Sequence, residues 1–154
     1  MVIYMKTYNL VLQSSVGTNG TPNETYFFDW GQLPQGRYSV QFTFNSADVA
    51  PTSVYVANLF LDLGQQQSTF MVASTLETSV QPRGNYLGCL SSLGSGVNHY
   101  YFADLTTNPP IYLNNRPTNN NLFVEIREAN SPFDTAFPDV GQYTLTLCFT
   151  LLDE

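Results

Sequence analysis

His99 is the sole histidine of the chain and sits in the run Asn98-His99-Tyr100-Tyr101-Phe102. Serine-type hydrolysis needs a base beside a nucleophile and a third group to orient the base. No Gly-x-Ser-x-Gly stretch occurs, so His99 reads as a structural residue near a strand start. Zinc takes three or four protein ligands, and one histidine with two dispersed cysteines, Cys89 and Cys148, falls short of that. Glycoside cleavage can run on two carboxylates, which makes Asp29, Asp62, Asp104, Glu125 and Glu128 worth weighing. Glu125 and Arg127 share the outward face of a strand on which Leu122, Val124 and Ile126 point inward, so they read as an ion pair. Asp29, Asp62 and Asp104 each end an apolar run, where aspartate commonly closes turns. The loop Asp134-Thr135-Ala136-Phe137-Pro138-Asp139 could offer calcium only two carboxylates, few for a six- to eight-oxygen cage. Gly94-Ser95-Gly96 is followed by no helix and reads as a turn, not a phosphate cradle. The expectation is a protein without catalytic residues, metal or cofactor.

Recognition is better represented than catalysis. Tyr55, Tyr100, Tyr101, Tyr112, Phe133 and Phe137 are candidates for partial exposure. Aromatic side chains anchor protein interfaces and serve as platforms for sugars. Tyr112, Phe133 and Phe137 lie in turn-rich segments, and with Arg116 they form the expected interface set; core packing is the alternative for each aromatic. Two glycosylation sequons, Asn19-Gly20-Thr21 and Asn23-Glu24-Thr25, matter only in a secretory compartment.

The elements that must position these residues are strands. The closing segment alternates Tyr143, Leu145, Leu147, Phe149 and Leu151 with Gln142, Thr144, Thr146, Cys148 and Thr150. Such alternation marks a strand with one buried face. Gly36 to Phe44 repeats the pattern, and Tyr8, Leu10 and Leu12 show it near the start. Strands are expected near Lys6–Ser14, Glu24–Asp29, Arg37–Asn45, Val54–Asp62, Ser68–Ser74, Tyr86–Ser91, His99–Asp104, Leu122–Glu128 and Gln142–Leu152. Turn clusters rich in Gly, Pro and Asn separate them, among them Gln81-Pro82-Arg83-Gly84 and Asn114-Asn115-Arg116-Pro117. No amphipathic helix is apparent. Unevenly spaced strands joined by long loops suit sheet-to-sheet crossings, so the expected fold is a single all-β domain over 1–154, a two-sheet antiparallel sandwich of the jelly-roll (double Greek key) type. An immunoglobulin-like sandwich is second.

Composition narrows the functions. The chain of 154 residues is 43% hydrophobic and 14% aromatic, which disfavours disorder. Only 11% of residues are charged, about half the usual share. Asn, Gln, Ser and Thr must therefore cover much of the surface, which suits a protein that lives in an assembly. Net charge is −7, and the five basic residues, Lys6, Arg37, Arg83, Arg116 and Arg127, are scattered. Nucleic acid needs clustered cations, so no nucleic-acid partner is expected. No stretch of about 18 apolar residues exists, so no membrane insertion is expected. The start lacks an apolar run of signal-peptide length, which points to synthesis in a cytosol-like compartment. There the cysteines stay reduced, so Cys89 and Cys148 are expected as free thiols, with one disulfide between them as the alternative.

The segment Asp29-Trp30-Gly31-Gln32-Leu33-Pro34-Gln35-Gly36-Arg37-Tyr38-Ser39-Val40-Gln41-Phe42-Thr43-Phe44 resembles the early strand pair of jelly-roll minor capsid proteins of large eukaryotic DNA viruses and their virophages. The stretch from Tyr112 to Asn121, followed by a strand and the closing Gly-x-Tyr strand, is similar as well. The likeness covers about half the chain and is one of style. It implies a non-enzymatic structural virion component, a minor capsid or cement protein, assembled in the host cytoplasm and partnered by capsid subunits. A homotrimer is the expected assembly. A carbohydrate-binding module or lectin is the alternative, followed by a trimeric ligand domain like the tumour necrosis factor and complement C1q group, and then by an enzyme.

Overall fold

The computed structural model describes residues 5–15, 23–47, 56–64, 70–72, 81–83, 85–95, 98–129 and 140–152. Their strands, in chain order, are β1 (Thr7–Gln13), β2 (Glu24–Phe27), β3 (Tyr38–Ser46), β4 (Val56–Leu61), β5 (Phe70–Val72), β6 (Gln81–Arg83), β7 (Tyr86–Ser95), β8 (Asn98–Ala103), β9 (Ile111–Leu113), β10 (Asn121–Glu128) and β11 (Tyr143–Leu151). Every expected strand has its counterpart. Two short ones were not anticipated. β6 occupies the expected turn at Gln81–Arg83 and pairs with β5 as a separate ribbon. β9 shows the alternation Ile111 buried, Tyr112 exposed, Leu113 buried, but three residues are too few to reveal a period in sequence. Gly94 and Ser95, expected in a turn, extend β7 and pair with His99 and Asn98 of β8.

The alternation decides which side of each strand is inside. On β11, Tyr143, Leu145, Leu147 and Phe149 are buried, while Thr144, Thr146, Cys148 and Thr150 are half-buried on the other face. β3 buries Tyr38, Val40, Phe42 and Phe44 in the same manner. Register matches the two patterns, setting Leu147 opposite Phe42 and Phe149 opposite Val40. Matching is obligatory, because a slip of one residue would turn every apolar side chain outward. β10 adds Leu122, Val124 and Ile126, all fully buried. These faces converge on one core with Leu59, Leu61, Leu87 and Leu90.

The large sheet is antiparallel, nine-stranded and nearly closed, in the order β1-β11-β3-β8-β7-β4-β10-β2, with β9 also paired to β3. Its halves are joined by a thin seam. β8 pairs with β7 over five residues but with β3 only at Phe44–Ala103 and Asn45–Phe102. At the opposite margin, side chains bridge the gap. Ser15 Oγ donates to Glu24 Oε1 at 2.7 Å, and Tyr26 Oη donates to Tyr143 Oη at 3.3 Å.

The two segments that carry the sequence resemblance meet at one end of the molecule. Asp29 Oδ1 accepts from the Gly31 amide at 2.9 Å and caps a short 3₁₀ turn, Trp30–Gln32. Trp30 is buried, stacks edge-on against Phe28 and Phe149, and donates its indole N–H to the Asn119 carbonyl at 2.9 Å. Tyr38 Oη donates to the Pro34 carbonyl at 2.6 Å. Gly36, at φ 148°, takes a backbone angle that a side chain would disfavour, and its amide donates to Asn115 Oδ1.

Asp62 and Asp104 also close turns, accepting from the amides of Gly64 and Thr106. Hydrogen bonds from Thr106 and Thr107 hold the Asp104 carboxyl below the usual aspartate range. Glu125 and Arg127 form the expected ion pair. Cys89 on β7 and Cys148 on β11 are both free thiols, on strands that are not neighbours.

Four tyrosines depart from ordinary behaviour, and their burial makes a prediction. Burial, with the nearby Cys89 adding to it, pushes the Tyr86 hydroxyl up to about 12. Burial also raises Tyr143, whose hydrogen bond with Tyr26 adds to the effect, and it raises Tyr26 and Tyr38. The folded state thus holds protons that the unfolded chain releases near pH ~10. Stability from this source is complete below about pH 10 and is lost as pH climbs toward about 12. The urea midpoint should therefore stay level up to pH ~10 and then fall steeply, with phenolate absorbance rising in step. A midpoint that holds constant through the alkaline range would contradict the assigned burial.

Candidate functional site: an uncharged sheet face

Pairing of β1, β11 and β3 lines up their outward residues in rows. Thr7 lies opposite Thr150, which lies opposite Ser39; Asn9, Cys148 and Gln41 form the next row. Val11, Thr146 and Thr43 follow, then Gln13, Thr144 and Asn45. β9 extends the first row with Tyr112, opposite Ser39. β8 extends the last with Phe102, opposite Asn45. No charged residue stands in any of these rows. The chain as a whole carries twelve acidic residues against five basic ones, so this face departs in character from the protein that bears it.

The face is exposed or half-buried along its whole length. Its hydroxyls and carboxamides can donate and accept without a net charge. β-branched threonines stiffen it, because their rotamers are restricted on a pleated surface. Chemically it is a hydrogen-bonding surface whose apolar points are Val11 and Tyr112, 51% and 43% exposed, and the half-buried Phe102.

The opposite half of the sheet presents a different surface. Phe27 on β2 is 76% exposed and Phe123 on β10 is 49% exposed. Phe27 pairs with Asn121, two residues from Phe123, so the two rings are diagonal neighbours on one face. The Glu125–Arg127 pair sits farther along β10. Phe60, opposite Glu125 on the outward face, is buried against Tyr86, while Tyr86 Oη donates to Asn58 Oδ1 at 3.4 Å.

The expected interface residues separate. Tyr112 lies at the border of the uncharged face. Arg116 braces the Trp30 corner: its Nη1 donates to the carbonyl of Leu33 at 2.6 Å and to that of Gly31 at 3.4 Å. A guanidinium that satisfies turn carbonyls holds the fold, and the Asn115 side chain beside it does the same for Gly36. Phe133 and Phe137 lie outside the described residues, as do Tyr55, Asn19 and the Asp134–Asp139 loop. Of the other aromatics, Tyr100 is exposed but Tyr101 is fully buried, because neighbours on a strand face opposite ways. Asn23 of the second sequon uses its Oδ1 to accept from the Ile126 amide at 3.1 Å.

His99 lies on β8 opposite Gly94. Among the described residues no three His, Cys, Asp or Glu side chains come together as metal ligands would, and no helix there is long and apolar enough to cross a membrane. Sequence reasoning missed the uncharged face. Its signal was present in each strand as a polar alternate register, but nothing local says that those three strands are neighbours. Comparison with known proteins adds no assignment, since no protein-family model matches the chain and no curated protein matches it significantly.

Proposed function

We propose that the chain is a non-enzymatic assembly subunit with a jelly-roll fold, a structural component of the minor capsid or cement type. The fold reading is supported by the strand order. Taken at the thin β3–β8 seam, the sheet divides into β1-β11-β3 and β8-β7-β4-β10-β2. The steps β1 to β2, β2 to β3, β3 to β4 and β10 to β11 each cross between halves, as in a double Greek key. The capsid assignment itself comes from the sequence resemblance around Trp30 and Tyr112.

The observation that carries the assembly reading is the uncharged face. Copies of a chain with net charge −7 repel one another. They can meet most readily where no carboxylate must be desolvated, and the rows on β1, β11 and β3 meet that condition. The occupant of the face is therefore a second copy of this chain, with a closed three-fold ring as the proposed arrangement. Three strands about 4.8 Å apart, paired over seven residues, cover a patch of roughly 14 by 23 Å. That is smaller than the roughly 800 Å² per partner of a standard interface. Contacts elsewhere must add to it, and the exposed Phe27–Phe123 pair on the other half is suited to touching a different neighbour.

Light scattering tests this. The intact chain should show a mass near three times 17.2 kDa at micromolar concentration. Thr146→Glu puts a carboxylate in the middle of the face and should weaken association at least about tenfold, by like-charge repulsion and desolvation. Thr118→Glu, at an exposed position ahead of β10, should leave it intact. A monomeric chain, or association indifferent to Thr146→Glu, overturns the proposal.

A further inference from the structure

A cleft of about 690 Å³ opens at the end of the sheet opposite Trp30, where β1 and β3 finish and β2 and β11 begin. Its lining is almost wholly polar and neutral. Gln13, Asn45 and Gln142 contribute carboxamides, and Ser14, Ser15, Ser46 and Thr144 contribute hydroxyls. Glu24 is the single charge in that lining.

Some of these groups are committed to the fold. Ser46 Oγ accepts from the Tyr101 amide and donates to the Ala47 carbonyl, and Ser15 is bonded to Glu24. Others are not. The carboxamides of Gln13, Asn45 and Gln142 and the hydroxyl of Thr144 have no hydrogen-bond partner among the described residues. Ser14 is 8% exposed. Its Oγ accepts from the Tyr143 amide at 2.7 Å, while its own O–H has no acceptor there. A buried donor left without an acceptor is uncommon and costly. An oxygen placed in the cleft would satisfy it.

The chemistry of the lining selects the ligand. Anions are disfavoured, since the only charge is a carboxylate and no cation faces the cleft. Apolar molecules find only Ala47 and the edge of Tyr143. Carboxamides that offer both donor and acceptor, set beside hydroxyls and one carboxylate, match adjacent hydroxyl groups, each of which also donates and accepts. Gln13, Thr144 and Asn45 form one cross-strand row, which spans about 10 Å over three strands. That length suits a chain of linked sugar rings better than a single small polyol.

We infer that this cleft is a binding site for a neutral saccharide, held by Gln13, Asn45 and Gln142 with Glu24 accepting from its hydroxyls. The cleft shares its cross-strand row, Gln13, Thr144 and Asn45, with the end of the assembly face, but saccharide binding is read by titration and self-association by light scattering, so either can fail alone.

The test is a titration of the intact ¹⁵N-labelled chain with neutral disaccharides (maltose, cellobiose, lactose and chitobiose), after a screen on a glycan array. The expected result is saturable binding of at least one neutral glycan, with the side-chain amide signals of Gln13, Asn45 and Gln142 shifting together. Asn45→Ala and Gln142→Ala, both at exposed positions, should each weaken binding at least about fivefold while the melting curve stays unchanged. Should either variant fold poorly, Gln13→Ala gives the same reading. Sialylated and sulfated glycans should bind more weakly than neutral ones, and Glu24→Gln should narrow that difference. No saturable binding of any neutral glycan overturns the proposal. So does binding untouched by Asn45→Ala and Gln142→Ala, or a preference for spermidine over every sugar, which would make the cleft a cation site.

Discussion

Trp30→Ala is expected to lower folding stability by about 3–5 kcal/mol, the usual cost of removing a large buried aromatic. The ring is 2% exposed and lies edge-on to Phe28 and Phe149, with centroids at 4.8 and 5.3 Å. Its removal would leave a cavity beneath the loop that joins β2 to β3. That loop is itself pinned to the opposite segment by Arg116 and Asn115, so it cannot collapse freely into the space. Natural domains have only about 5–15 kcal/mol to lose, which makes this change one that nearly unfolds the chain. Trp30→Phe keeps much of the packing but gives up the indole bond to the Asn119 carbonyl. It should cost about 1–2 kcal/mol, close to one partly buried hydrogen bond plus a small void. Urea denaturation followed by far-ultraviolet circular dichroism measures both, since Trp30 is also the only tryptophan available for fluorescence. A loss below about 1 kcal/mol for Trp30→Ala would mean that the corner is not packed as described.

Gly88→Ala should cost about 2–4 kcal/mol, far more than an added methyl usually does. A Cβ at this position would lie 2.6 Å from Asn108 Cγ and 2.7 Å from Phe42 Cε1. Neither neighbour can step aside. Phe42 is buried in the core. Asn108 accepts from the Cys89 amide at 2.9 Å and donates to the Cys89 carbonyl at 3.0 Å. Its carboxamide thus takes the place of a strand neighbour just beyond Ser91, where the β7–β8 pairing ends. Pushing Asn108 away loses both bonds, and keeping them forces overlap with the new methyl group. A double-mutant cycle with Asn108→Ala separates the two effects. In that background the methyl meets only Phe42, so Gly88→Ala should become cheaper by about 1 kcal/mol or more. Strict additivity would show that Asn108 and Gly88 do not share this space.

The strands were legible because period-two alternation is a local signal. β3, β10 and β11 carry four or three apolar residues on one face, and each settled with that face inward. The turn roles of Asp29, Asp62 and Asp104 were legible for a similar reason, since an aspartate reaches only the amides a residue or two away. The bracing role of Arg116 was not legible, because its partners, the carbonyls of Gly31 and Leu33, are more than eighty positions distant. β6 and β9 escaped notice because each is three residues long. Asn108 precedes two prolines, and only the departure of β8 from β7 gives its side chain a strand's work.

The sequence by itself determined which side of each strand faces the core, how much of the surface is neutral, and that no familiar catalytic constellation is spelled out. Tertiary structure decided who stands beside whom. Backbone ladders are chemically alike for every strand pair, so no local feature states that the first strand lies against the last, or that β3 lies on the other side of β11. That order turns scattered Thr, Asn, Gln and Ser residues into one uncharged face. It also brings the ends of β1 and β3 to the beginnings of β2 and β11 around a polar cleft. Both surfaces are made of contacts between residues roughly 100 to 140 positions apart in the chain, and only the folded pairing can assemble them.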